Sequence, residues 1–133
     1  MMLERPVGSG LFNRLLGFLH NVSSEGVVVK SLRDSGAINE VLEAIGIRPY
    51  SSMTIDAAGI IQNVARDESC RKRLIEGEAV DSLMGLIMSG DVQIQVRAVG
   101  AILNLLSPMC DDVNGLKQAL SRLIALSALQ NAL

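Results

Sequence analysis

The chain has 133 residues, enough for one domain with a buried core and little beyond it. Hydrophobic residues make up 49% but aromatics only 2%, so Leu, Ile, Val, Ala and Met must fill the core, which suits packed helices better than a sheet. A formal charge of −2, with one Tyr and two Phe, supplies neither a basic field nor a stacking platform, which excludes nucleic acid as the expected partner.

In chain order, the first predicted helix covers 9–22. Its GLFNRLLGFL segment has the hydropathy of a secretory leader, but Glu4 and Arg5 precede it and Arg14 interrupts it, so it is read as part of the fold. No run reaches the roughly 18–20 apolar residues of a membrane span, and no membrane partner is expected. The following helices are predicted at 26–34, 37–45, 51–65, 68–76, 78–88, 92–106 and 112–131, giving an all-α chain of eight helices. Ser51 or Ser52, Asp67 and Asp91 stand where N-caps are needed, and Asp111 or Asp112 would cap the last helix. Pro49 and Pro108 fall in the breaks, and Gly36, Gly46, Gly77 and Gly90 stand at helix exits or turns.

The segments GFLHNVS, GIIQNVA and GAILNLL each carry a glycine four residues before an asparagine, and the asparagines 21, 63 and 104 lie 42 and 41 residues apart. The repetition extends to Leu19, Ile61 and Ile102, and to Leu32, Leu74 and Leu116. It also matches Ala37, Ile38, Val41, Leu42 and Ile45 with Ala79, Val80, Leu83, Met84 and Ile87 at helical spacing. Each period contains one short and two longer helices. The clearest copy is DESCRKRLIEGEAVDSLMGLIMSGDVQIQVRAVGAILNLLS, residues 67–107.

That pattern of short helix, Gly turn, second helix, Ser-Gly-Asp loop and third helix ending in Leu-x-Asn-Leu resembles the armadillo repeat. The resemblance implies one domain over 1–133, an α-α superhelix of about three stacked repeats. Residues 1–24 form a partial repeat, 25–65 and 66–107 two repeats, and 108–133 a second partial repeat. A two-helix repeat of the HEAT type shares the period but accounts less readily for the recurrent asparagine.

On each third helix the asparagine shares a stripe with the residues four and seven before it. The stripes read Arg14, Gly17, Asn21, Ser24; then Asp56, Gly59, Asn63, Arg66; then Arg97, Gly100, Asn104, Ser107. In armadillo proteins such a stripe lines a concave groove in which the asparagine bonds the backbone of an extended peptide. The resemblance therefore implies a protein or peptide partner held by Asn21, Asn63 and Asn104. The charges Arg14, Asp56, Arg97 and Arg66 would select it, and Gly17, Gly59 and Gly100 would leave it room. The competing readings are local hydrogen bonding for the asparagines, close helix approach for the glycines, and ion pairing between repeats for the charges. Armadillo proteins that bind basic localisation signals have Trp where these glycines stand, and this chain has no Trp, which argues against that ligand.

No convergent set of titratable groups points to catalysis, so no catalytic residue, metal or cofactor is expected, and the protein is read as a non-enzyme. His20 is expected off the stripe as a surface or part-buried residue, Cys70 has Arg71, Lys72 and Arg73 beside it as charges that would lower its pKa but without a placed base is read as inert or merely oxidisable, and that basic run is read as a solvated face. Cys70 and Cys110, without paired spacing, fit a reducing setting: the cytoplasm, with the nucleus second. In such a helix the Asn21-Val22-Ser23 sequon carries no meaning. The expected function is a protein-binding scaffold. The alternatives are a piece of a longer array that associates through open solenoid ends with another copy, or a helper module of a co-chaperone or cytoskeletal assembly factor.

Overall fold

The computed structural model describes residues 5–106, which form seven α-helices and no strand. They are α1 (Arg5–Val22), α2 (Gly26–Ser35), α3 (Ala37–Ala44), α4 (Ser52–Val64), α5 (Glu68–Glu76), α6 (Ala79–Ile87) and α7 (Val92–Leu106). The predicted boundaries agree with these to within a few residues. The predicted helix at 112–131 lies outside the described residues, as do Cys110, Ser107 and Leu116.

Local chemistry starts α4, α5 and α7 where the sequence says it should. Ser51 Oγ accepts from Met53 N at 3.2 Å, while Thr54 Oγ1 accepts from Ser51 N at 3.1 Å, so two otherwise unpaired donors are satisfied reciprocally. Asp67 accepts from Cys70 N at 3.0 Å at the start of α5. Asp91 Oδ1 accepts from Gln93 N and Ile94 N at the start of α7. Gly36 and Gly90 turn the chain with φ of 79° and 83°.

Gly77 departs from the expectation. Its φ is −85°, and the left-handed residue is Glu78 at 63°, which is why α6 begins at Ala79 rather than 78. A Cβ on Gly77 would stand 3.1 Å from Leu42 Cδ2 of α3, so this glycine serves a close approach between helices and passes the turn to its neighbour.

Packing follows the repeat. Helix α4 lies between α1 and α7 and makes its largest contacts with them; α3 packs on α4 as α6 packs on α7, and α3 also touches α5. Matching positions therefore meet matching surroundings. Leu32 and Leu74, Val41 and Leu83, Ile45 and Ile87, and Val64 and Leu105 are all buried. The core is a continuous layer of aliphatic side chains running through all of these helices. The row α1, α4, α7 carries the three Gly-x-x-x-Asn segments, so it is where the candidate residues gather.

Candidate functional site

The last carbonyls of an α-helix have no partner within the helix. At the end of α1, His20 O accepts from Ser23 Oγ at 3.0 Å and from Asn63 Nδ2 of α4 at 3.4 Å, and Asn63 Nδ2 also donates to Ser23 Oγ at 2.9 Å. At the end of α4, Arg66 N turns back to Asn63 O, and Gln62 O accepts from Asn104 Nδ2 of α7 at 2.7 Å. Each of these asparagines thus binds the carbonyl of the residue just before the preceding asparagine. Their amide donors serve the joint between helices, so the local-bonding alternative describes what those donors do.

The glycines and charged residues complete the same joint. The His20 ring lies directly on Gly59, where a Cβ would overlap it, and the Gln62 amide lies on Gly100 in the same way. Asp56 Oδ1 meets His20 Nδ1 at 2.9 Å, and Arg97 donates to Gln62 Oε1 at 3.3 Å. One side chain from α1 and one from α4 therefore cross to the next helix of the row, where glycine gives each room, the residue seven before the asparagine binds its tip, and the asparagine binds its carbonyl.

The remaining stripe residues are placed differently. Arg14, Asn21 and Arg66 are exposed, while Gly17 is half-buried, with room for a Cβ at ordinary contact distance from Asp56. His20 was expected off the stripe of its own helix, and so it is; the sequence reading missed that this points it across the stripe of the next one. The available signal was a long polar side chain, His20 or Gln62, immediately before an asparagine whose successor repeat carries the glycine.

An open cleft of about 450 Å³ adjoins the first joint, lined by Ser24, Gly26, Val29, Lys30, Arg33, Asn63, Arg66 and Asp67. Arg33 donates to both Asp67 oxygens at 3.2 and 3.1 Å. The Cys70 backbone N–H, with Arg33 assisting, holds the Asp67 carboxyl below its usual range, and the Arg33 guanidinium is raised in turn by Asp67. Lys30 pairs with Asp34 one turn on, outside the lining. Arg66 has no ion-pair partner among the described residues.

Two expectations about the neighbouring basic run are corrected. Cys70 is fully buried, and burial pushes its thiol up to about 11 rather than letting the adjacent cations lower it. Arg71 donates to Ala65 O and Arg66 O, and Arg73 to Arg33 O, so only Lys72 of the three remains a plain surface cation.

Among the described residues no group of three or more His, Cys, Asp or Glu is placed to hold a metal ion, and no helix is long and apolar enough to cross a membrane. Comparison with protein-family models, with curated proteins and with solved structures gave no match to this chain.

Proposed function

We propose that the chain is a short α-solenoid of armadillo type whose role is non-catalytic: a scaffold that holds an extended segment of a partner protein, working in the cytoplasm or nucleus. The reading is supported by the helix order, by the pairing of equivalent positions along α1, α4 and α7, and by the recurrence of the same joint at successive asparagines. The observation that carries the binding role is the cleft at Asn63. Asn63 Nδ2 is committed to the joint, while its Oδ1 accepts from no described residue and is left for a peptide N–H. Lys30 is offset by Asp34 and Arg33 by Asp67, so Arg66 is the lining's cation without an ion-pair partner among the described residues, which favours a segment carrying carboxylates.

The glycines do not contribute a ligand channel in this reading, because His20 and Gln62 already occupy the space above Gly59 and Gly100. The partner contacts are instead Arg66, Ser24 and the free face of Asn63, with Asn21 and Arg14 further along the row.

Fluorescence anisotropy with short labelled peptides, acidic, neutral and basic, tests the reading. Acidic peptides bind the wild type, and Arg66→Glu weakens them about tenfold or more through like-charge repulsion at an exposed site while leaving the circular dichroism spectrum unchanged. Peptide binding indifferent to Arg66→Glu, or no binding across the panel, overturns it.

A further inference from the structure

Within the row of third helices, positions can be counted back from each asparagine. Ten, six and three residues before it stand Met53, Ala57 and Ile60 on α4, and Ile94, Ala98 and Ala101 on α7, none more than 8% exposed. These positions share one side of the helix. In both helices a preceding third helix is in contact. The same three positions on α1 are Leu11, Leu15 and Phe18, which are 65%, 50% and 62% exposed. They are also bulkier than most of their counterparts.

The opposite side of the helix carries positions twelve, eight and five before the asparagine. On α1 and α4 the last of these, Leu16 and Ala58, is buried. On α7 the three are Val92, Val96 and Val99. Val92 and Val96 are 70% and 61% exposed, and together with Gln95 and Val99 they line an open, mainly apolar cleft of about 360 Å³. Within the described residues one molecule thus carries both halves of the joint that it makes internally, one on the first and one on the last helix of the described row.

A second observation points the same way. At each internal joint the asparagine amide binds the carbonyl of the residue preceding the earlier asparagine. The Asn21 side chain is exposed and has no hydrogen-bond partner among the described residues. By register, the carbonyl it would take from a preceding helix corresponds to that of Leu103 on α7.

We propose that the chain associates head to tail with a second copy of itself. The α7 face of one copy, with Val92, Val96 and Val99, covers Leu11, Leu15 and Phe18 of the next, and Asn21 takes the Leu103 carbonyl of the neighbouring copy. The joint is heterologous, so it propagates rather than closing as a two-fold dimer. It does not depend on the peptide-binding reading.

Sedimentation velocity of the full chain across a wide concentration range provides the test, with Phe18→Asp breaking the α1 face and Val96→Asp breaking the α7 face. The wild type grows in mass with concentration, and each variant alone is a monomer. An equimolar mixture of the two forms a 1:1 complex that grows no further, because only one intact joint can form. Asn21→Ala weakens wild-type association roughly three- to tenfold, the share of one hydrogen bond. A wild type monomeric at every concentration overturns the proposal. So does a Val96→Asp variant that still assembles, or a mixture that stays monomeric. Should circular dichroism show either variant unfolded, Leu11→Asp and Val92→Asp replace them on the same two faces.

Discussion

The two internal joints are built to one plan with different materials. At the first, a rigid imidazole lies on Gly59 with Asp56 at its Nδ1 atom and Ser23 adding a hydroxyl between His20 O and Asn63. At the second, a flexible Gln62 side chain lies on Gly100 with Arg97 at its tip, and Asn104 reaches the Gln62 carbonyl unaided. The comparison separates what the repeat requires, a glycine and an asparagine, from what it leaves free, the pair of tips that meet. It also makes the first joint the stiffer one, since a ring pinned at one nitrogen has fewer ways to yield than an amide at the end of a mobile stem.

The largest difference should come from filling the glycines. Gly59→Ala places a methyl group inside the His20 ring, forcing the ring off Asp56, and should destabilise by about 2 kcal/mol in chemical denaturation. Gly100→Ala meets only the movable end of Gln62, and the helix-propensity gain of about 1 kcal/mol offsets most of its cost. The sharper version is a double-mutant cycle. In a His20→Ala background the ring is gone and Gly59→Ala should become neutral or stabilising, whereas an unchanged penalty would mean that the ring is not what the glycine accommodates.

Next in size are the asparagines. Asn104→Ala strips the only side-chain partner that Gln62 O has among the described residues and should cost about 1–2 kcal/mol. Asn63→Ala leaves His20 O still bonded to Ser23 Oγ and should cost less, although Asn63 makes more hydrogen bonds. Equal losses in the midpoints of urea unfolding would refute this ranking.

The smallest effect tests the cap beside the cleft. Asp67→Ala removes the α5 N-cap and the Arg33 contact and should cost about 1 kcal/mol. Because the folded carboxyl sits below its ordinary value of 3.8, its contribution is present above that pH and disappears as pH falls through the lower folded value. The stability gap between wild type and Asp67→Ala should therefore close in that acidic window and stay constant near neutrality.

Helix positions were legible because apolar spacing marks the helices and side-chain caps mark the starts of α4, α5 and α7, and the asparagine period gave the register of the row. The environment of Cys70 was not legible from its neighbours in sequence. Arg71 and Arg73 flank it along the chain but point to carbonyls elsewhere, while the helical period carries the thiol into the core. The crossing of His20 and Gln62 was hidden for a similar reason: angular position puts them at the margin of their own stripe, and only the spacing between helices decides whether they reach the next. Gly59 and Gly100 were identified as shared exceptions to helix propensity, yet the choice between ligand room and close approach needed the neighbouring side chain in place. The charges Asp56 and Arg97 were equally undecided, and both turn out to be spent on residues of the chain itself.

Among the described residues, the His20 carbonyl at the end of α1 and the Gln62 carbonyl at the end of α4 are each held by an asparagine of the next helix in the row, and neither is held from the helix before. Order in the row is therefore borrowed in one direction. Hydrogen exchange slowed at the end of α4 requires α7 to be folded, and the end of α1 requires α4, so fraying should travel toward lower residue numbers, as in a one-dimensional array with directional nearest-neighbour coupling.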